Sequence, residues 1–225
     1  RQSLDTYENT YKVQEDTLKK YDNNLSLIWA LDLDFTNQGN LVSPIINEPD
    51  GIIYTWHDYS INNSYASTLY SISTNGELLS EITLDGYIVS LSLDKLGNLI
   101  LDLNSQSFNK EVRKYSSNFE LIFSKWSSAD MNGGELLIDN QNNIYRSIQG
   151  SGSHPSFNLY KYGPNGDLIW DVYFYDVQIR NVALLDNDNL CLAYAGDGGQ
   201  KIEAISSIDG TLIWEYSLNS YSSST

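Results

Sequence analysis

Asn165-Gly166-Asp167-Leu168-Ile169-Trp170 is one of five versions of a single phrase, and that phrase decides the fold. The others are Asn24-Leu25-Ser26-Leu27-Ile28-Trp29, Asn75-Gly76-Glu77-Leu78-Leu79-Ser80, Asn118-Phe119-Glu120-Leu121-Ile122-Phe123 and Asp209-Gly210-Thr211-Leu212-Ile213-Trp214. They recur about every 45 residues, a period that marks a repeat array. Asn-Gly or Asp-Gly ahead of an apolar run is a tight-hairpin signal, because both residues accept a left-handed backbone.

Upstream of each copy lies a second turn phrase. Asp5 to Asn9 precedes Thr10-Tyr11, Asn47 to Gly51 precedes Ile52-Ile53, Asp94 to Asn98 precedes Leu99-Ile100, and Asp139 to Asn143 precedes Ile144-Tyr145. In the fifth repeat Asp186 to Asn189 precedes Leu190-Cys191 and reads one residue shorter. Short runs rich in Ile, Leu, Val, Tyr and Thr separate the turns, with no sustained helical stripe. Each repeat therefore holds four strands, a to d, which in the third are Val89 to Leu93, Leu99 to Leu103, Val112 to Tyr115 and Glu120 to Lys125. The expected fold class is all-β, a β-propeller of five four-stranded antiparallel blades. The blade cores end near Trp29, Ser80, Phe123, Trp170 and Trp214 in one domain over residues 1–218, followed by a Ser-rich tail, 219–225.

Tyr162 through Gly166 to Trp170, Ala204 through Gly210 to Trp214, and the Asp-turn-Asn-Ile-Tyr phrases resemble the repeats of the quinoprotein-like propeller superfamily. Ala204, Gly210 and Trp214 match that family's docking phrase, whereas its Asp is Ser206 here. The resemblance implies that Trp29, Trp170 and Trp214 pack between neighbouring blades, with Phe123 substituting and Ser80 marking a thinner contact. It implies fold far more than function.

At 225 residues and 41% hydrophobic, the chain can bury a sizeable core. A formal charge of −16 with 13 Lys and Arg excludes a nucleic-acid partner, since phosphate binding needs clustered cations, and no apolar run is long enough for membrane insertion. The acidic, Asn- and Ser-rich composition suits an extracellular, cell-surface or periplasmic location, a cytoplasmic one remaining open. Cys191 is the one cysteine, so no internal disulfide forms; its strand position favours a buried, inert thiol. Two histidines and four arginines leave little catalytic inventory. No vicinal cysteine pair exists for quinoprotein dehydrogenase chemistry, and the Gly of a sialidase-type Asp-box at Ser207-Ile208-Asp209 is displaced to 210. Asp186 to Asn189 and Asp32-Leu33-Asp34 resemble fragments of calcium loops but lack a further acidic ligand. No catalytic residue, metal or cofactor is assigned.

Turns from a to b and from c to d are nearly uniform, whereas connections from b to c and from d to a vary in length. In an up-and-down blade both variable classes lie on one face, where binding residues usually sit. That face should carry Trp56, His57, Asp58 and Tyr59 from one b-to-c loop, and His154 and Phe157 from another. The d-to-a connections add Trp126, Asp130, Tyr175 and Arg180. The expected role is non-enzymatic recognition or scaffolding with a protein ligand; a glycan ligand and a fragment of a larger enzyme are the alternatives.

Overall fold

Asp94 shows how a repeat is started. Its Oδ1 accepts hydrogen bonds from the backbone N–H of Leu96 and of Asn98, both at 2.9 Å, and its Oδ2 accepts from the Asn98 amide. The same carboxylate arrangement recurs at Asp5 and Asp139. Each satisfies donors that the tight turn would otherwise leave unpaired.

Two turns differ from the sequence expectation. Gly51 N–H bonds the Glu48 carbonyl, so the second turn is headed by Glu48 and not by Asn47. In the fifth, Leu185 N–H bonds the Asn189 carbonyl and Asp188 N–H bonds the Leu185 carbonyl, so Leu185 heads a turn of the same length as the rest. Both shifts arise because a non-Asx residue occupies the heading position. Asp188 instead accepts from the Asn140 amide at 2.9 Å.

The computed structural model describes residues 2–33, 39–42, 44–48, 50–62, 64–105, 110–127, 131–150, 156–196 and 199–218, and every regular element among them is a strand. Blade 1 holds β1 (Gln2–Leu4), β2 (Thr10–Gln14), β3 (Thr17–Tyr21) and β4 (Leu27–Asp32). Blade 2 holds β5 (Gly39–Leu41), β6 (Ile45–Asn47), β7 (Ile52–Ile61), β8 (Ser64–Ser73) and β9 (Leu78–Asp85); β5 and β6 both pair with β7 and share the first-strand position. Blade 3 holds β10 (Tyr87–Leu93), β11 (Leu99–Asn104), β12 (Lys110–Tyr115) and β13 (Leu121–Ser127). Blade 4 holds β14 (Met131–Ile138), β15 (Ile144–Gly150), β16 (Phe157–Tyr162) and β17 (Leu168–Phe174). Blade 5 holds β18 (Val177–Leu184), β19 (Leu190–Gly196), β20 (Gly199–Ile205) and β21 (Leu212–Leu218). Within each blade the strands run antiparallel in sequence order.

The chain forms two compact units, residues 1–122 and 123–225. In the first, Tyr11, Leu18, Ile53 and Ile72 form one buried cluster, and Tyr54, Trp56, Leu69, Leu99 and Leu101 anchor another. In the second, Tyr145, Phe157, Leu159, Leu190 and Leu192 are buried together.

Adjacent blades are joined by a row of side chains that crosses strands b, c and d. In blade 1 the register aligns Tyr11, Lys20 and Trp29. Trp29 Nε1 and Lys20 Nζ both donate to the Thr74 carbonyl, at 3.0 and 3.2 Å, and Lys20 Nζ lies 5.2 Å from the Tyr11 ring centre. Blade 4 repeats this with Tyr145, Lys161 and Trp170, whose Nζ and Nε1 donate to the Ser207 carbonyl at 2.5 and 3.2 Å. A cation over a ring contributes about 0.5 to 2 kcal/mol, and each charge-assisted bond adds to it. Burial together with the Asp5 carboxylate raises the Tyr11 hydroxyl pKa, as burial beside Asp139 does for Tyr145, so both phenols stay neutral donors. Trp29 and Trp170 thus have the structural place the resemblance implied. Trp214 does not: it is 45% exposed, and all of β21 is exposed with it. Cys191 is half-buried and not fully buried as expected.

The Leu-Ile pair of the repeat phrase behaves unlike a pleated strand. Pairing shifts by one residue opposite Ile28, Leu79, Ile169 and Ile213, which places a β-bulge at the start of four outer strands. Two consecutive apolar side chains are then exposed in each, for example Leu168 and Ile169.

Candidate ligand-binding cleft

The hairpin of β7 and β8 pairs without interruption from Ile52↔Ser73 to Ile61↔Ser64, ten residues in each strand, the longest among the described strands. Asn62, at φ 51, stands in the turn that closes it. The outer part of this hairpin extends past the blade's own core and meets the crossing from β9 to β10. Gly86, with φ 131, makes that crossing possible: a Cβ there would lie 2.5 Å from the Asn104 carbonyl oxygen. Gly86 N–H donates to the Tyr65 carbonyl at 2.9 Å, and Ser67 Oγ lies 2.9 Å from the Gly86 carbonyl.

A cleft of about 300 Å³ results, lined by Asp58, Tyr59, Ser60, Tyr65 and Tyr87. Tyr65 and Tyr87 meet edge to face with ring centres 5.6 Å apart. Tyr59 stacks on His57 at 5.2 Å, its hydroxyl 3.3 Å from Thr68 Oγ1, and the Asn104 amide donates to the Tyr87 hydroxyl. The Asp58 carboxylate accepts from Ser67 Oγ and, at 3.2 Å, from the Ile88 N–H. Burial raises the Asp58 pKa, while these hydrogen bonds pull the other way. Burial lowers the pKa of His57, opposed by the charges of Asp16 and Asp58, so the imidazole is mainly neutral at pH 7. The lining offers aromatic faces, phenol and serine hydroxyls and one carboxylate, with no Lys or Arg among the described residues.

A smaller hollow of about 180 Å³ is lined by Asp5, Lys20, Glu48 and Thr74 among others. Two of its charged groups are already engaged, Lys20 on the Thr74 carbonyl and Asp5 on the Asn9 and Tyr11 side chains.

The expected site residues are distributed differently from the loop picture. Trp56, His57, Asp58 and Tyr59 lie on β7 and not in a loop, and Trp56 and His57 are buried. Asp58 and Tyr59 do reach the cleft. Phe157 opens β16, fully buried against Phe174 at 5.4 Å, and so belongs to the core rather than to a loop. Arg180 is exposed on β18, within a strand. Tyr175 is exposed in the bend between β17 and β18, as a connection residue should be, and Trp126 is 60% exposed near the end of β13. Asp130 and His154 lie outside the described residues. Tyr65 and Tyr87 escaped the sequence reading; Tyr59 and Tyr65 flanking Asn62-Asn63 was the available hairpin signal.

No protein-family model matches this sequence, and no curated protein matches it. Solved propellers match its fold. The WD40 domain of Toxoplasma gondii coronin aligns with TM-score 0.64 at 10% identity, over 96% of this chain and 58% of that one. The Nup133 β-propeller domain of Vanderwaltozyma polyspora aligns with TM-score 0.59 at 11% identity, over 97% and 75%. The Dos1 propeller aligns with TM-score 0.65 at 10% identity, over 94% and 56%. The chain has the all-β repeat architecture of a β-propeller, with five blades.

Proposed function

We propose that this chain is a non-enzymatic recognition propeller whose ligand is a protein segment bearing a Lys or Arg side chain, held in the cleft of Tyr59, Tyr65 and Tyr87. The observation that carries this is the composition of the cleft: three tyrosine rings and one anchored carboxylate, with no cation among the described lining residues. Such a lining attracts a cation through both the ring faces and the Asp58 charge. The net charge of −16 favours encounter with a basic partner. BBS1N, solved in complex with ARL6DN, aligns with this chain at TM-score 0.56 and 12% identity, over 96% of this chain and 66% of that one. The repeats are read as being of the quinoprotein-like type from the sequence resemblance alone, and the acidic, Asn- and Ser-rich composition suits an exported domain.

A glycan is the second reading, favoured by the exposed Tyr65 ring, which offers a flat face for a sugar. Titration of the chain with Lys- and Arg-containing peptides and, in parallel, with neutral oligosaccharides separates the two. Peptide binding should weaken by about 2 kcal/mol or more in Tyr65→Ala and Tyr87→Ala, with unchanged melting temperature. Peptide affinity unaffected by either substitution refutes the cleft, and binding of oligosaccharides alone replaces the protein ligand by a glycan.

A further inference from the structure

The cleft formed by blades 2 and 3 joins two tyrosine rings to a carboxylate that is committed to the interior. Pairing of Asp58 with Ser67 and of Ser60 with Tyr65 puts these four side chains on one face of the hairpin. Tyr59 takes the other face, stacked on His57, so the rings that meet in the cleft are Tyr65 and Tyr87. They stand at 75° with centres 5.6 Å apart and form a corner, Tyr65 exposed and Tyr87 half-buried. Every residue of this corner lies within the first compact unit, residues 1–122.

The acceptors beside the corner are already in use. Asp58 Oδ1 is 2.5 Å from Ser67 Oγ and accepts from the Ile88 N–H at 3.2 Å, while Ser67 Oγ is itself 3.1 Å from the Ile88 nitrogen. Ser67 is fully buried, so this network faces inward. The Tyr87 hydroxyl is engaged by the Asn104 amide. Asp58 thus gives the cleft a negative charge while its Oδ1 is spent on the interior. A primary ammonium is strongly hydrated and brings three N–H donors, which would leave water for acceptors that are occupied. A guanidinium fork fares no better, since it pairs with both oxygens of a carboxylate at once. A trimethylammonium carries the same charge with no donor to satisfy, and its methyl groups lie on ring faces.

We propose that this cleft selects a trimethylated lysine over an unmodified one, which makes the chain a reader of lysine methylation on a protein segment. The inference rests on the cleft reading given above and narrows it. Tyr65 and Tyr87 attract the cation through their rings, Asp58 complements its charge through space, and the engaged oxygens supply the discrimination against N–H donors.

Tetramethylammonium chloride and ammonium chloride, added to the chain at equal concentration, separate the two chemistries without any choice of peptide. Tetramethylammonium should shift the ring proton resonances of Tyr65 and Tyr87 saturably, and several-fold more than ammonium does. Tyr65→Leu, at an exposed position, should remove the response, and Asp58→Asn, which keeps the shape but not the charge, should weaken it several-fold. A library of single-lysine peptides, prepared unmodified and trimethylated, should bind several-fold tighter in the methylated form. Equal or tighter binding of unmodified lysine, lost in Tyr65→Leu, overturns the proposal and leaves the cleft reading standing. Responses of both forms that ignore Tyr65→Leu overturn the two together. Binding of phosphatidylcholine vesicles with no gain from peptide methylation assigns the rings to a lipid headgroup and likewise overturns the proposal.

Discussion

Blade 4 and blade 2 are built from the same phrases and solve the same packing problem with opposite residues. Blade 4 places Tyr145, Lys161 and Trp170 in one row and clamps the Ser207 carbonyl with two donors. Blade 2 has Tyr54, Ser71 and Ser80 in that row and takes its large ring, Phe119, from the next turn. Blade 2 also splits its first strand into β5 and β6, extends its central hairpin to ten-residue strands and contributes most of the cleft. The repeat thus fixes how much volume each junction must fill, not which element fills it, and that freedom is greatest in the blade that carries the candidate site.

The strongest test of this contrast is Trp170→Ala. It removes a half-buried ring and an Nε1 donor, and should cost about 3 kcal/mol in urea unfolding, at the lower end for emptying a large aromatic site. Trp126→Ala, at an exposed position, should change stability by no more than about 0.5 kcal/mol; equal losses would mean the blade 4 row is not a junction. Next, Phe119→Gly should cost about 2 to 3 kcal/mol, and Ser80→Trp in the same chain should recover a large part of it. Additive losses in the double variant would break the idea that ring and gap exchange sides. Lys161→Met keeps the stem but loses the bond to Ser207 and the contact with Tyr145, for an expected cost of about 1 kcal/mol.

The smallest effect is a pH dependence confined to blade 2. Burial holds the His57 pKa below 6.5 in the folded chain, so folding favours the neutral ring. The stability it permits is complete above pH 6.5 and is lost as the pH falls from there toward the folded value. His57→Gln should flatten the decline of melting temperature between pH 7 and 5, and the unaltered slope in that variant would assign the decline to other groups. Asp58 works in the opposite sense, since its raised pKa makes acidification less costly there.

Much of the fold was legible because its turns are chemically marked. Asp94, Asp139 and Asp5 each announce a hairpin, and the third-blade strands fall within about two residues of their expected ends. Where Glu48 and Leu185 head the turn, the mark is missing and the register slipped. The cleft was half legible: Asp58 and Tyr59 were picked for their chemistry, but from a loop that is a strand. Tyr54 to His57 are all buried, so the stretch shows no in-out alternation, and a strand covered on both faces gives no period of two. Phe157 was misplaced because an aromatic beside a variable connection looks the same in sequence whether it points to solvent or to core. Tyr87 reaches the cleft only through the Gly86 crossing, a tertiary event with no local signature.

The bulges at the start of the outer strands also bear on colloidal behaviour. Leu168-Ile169 and Leu212-Ile213 are exposed, β-prone and at sheet edges, the combination that recruits a second chain edge to edge into a fibril. An unpaired extra residue bends the strand at that point, so an incoming strand meets an interrupted row of donors and acceptors. Deleting Ile169 should straighten the outer edge of blade 4 and raise its tendency to pair edge to edge, an outcome that thioflavin fluorescence of the two proteins at equal concentration checks.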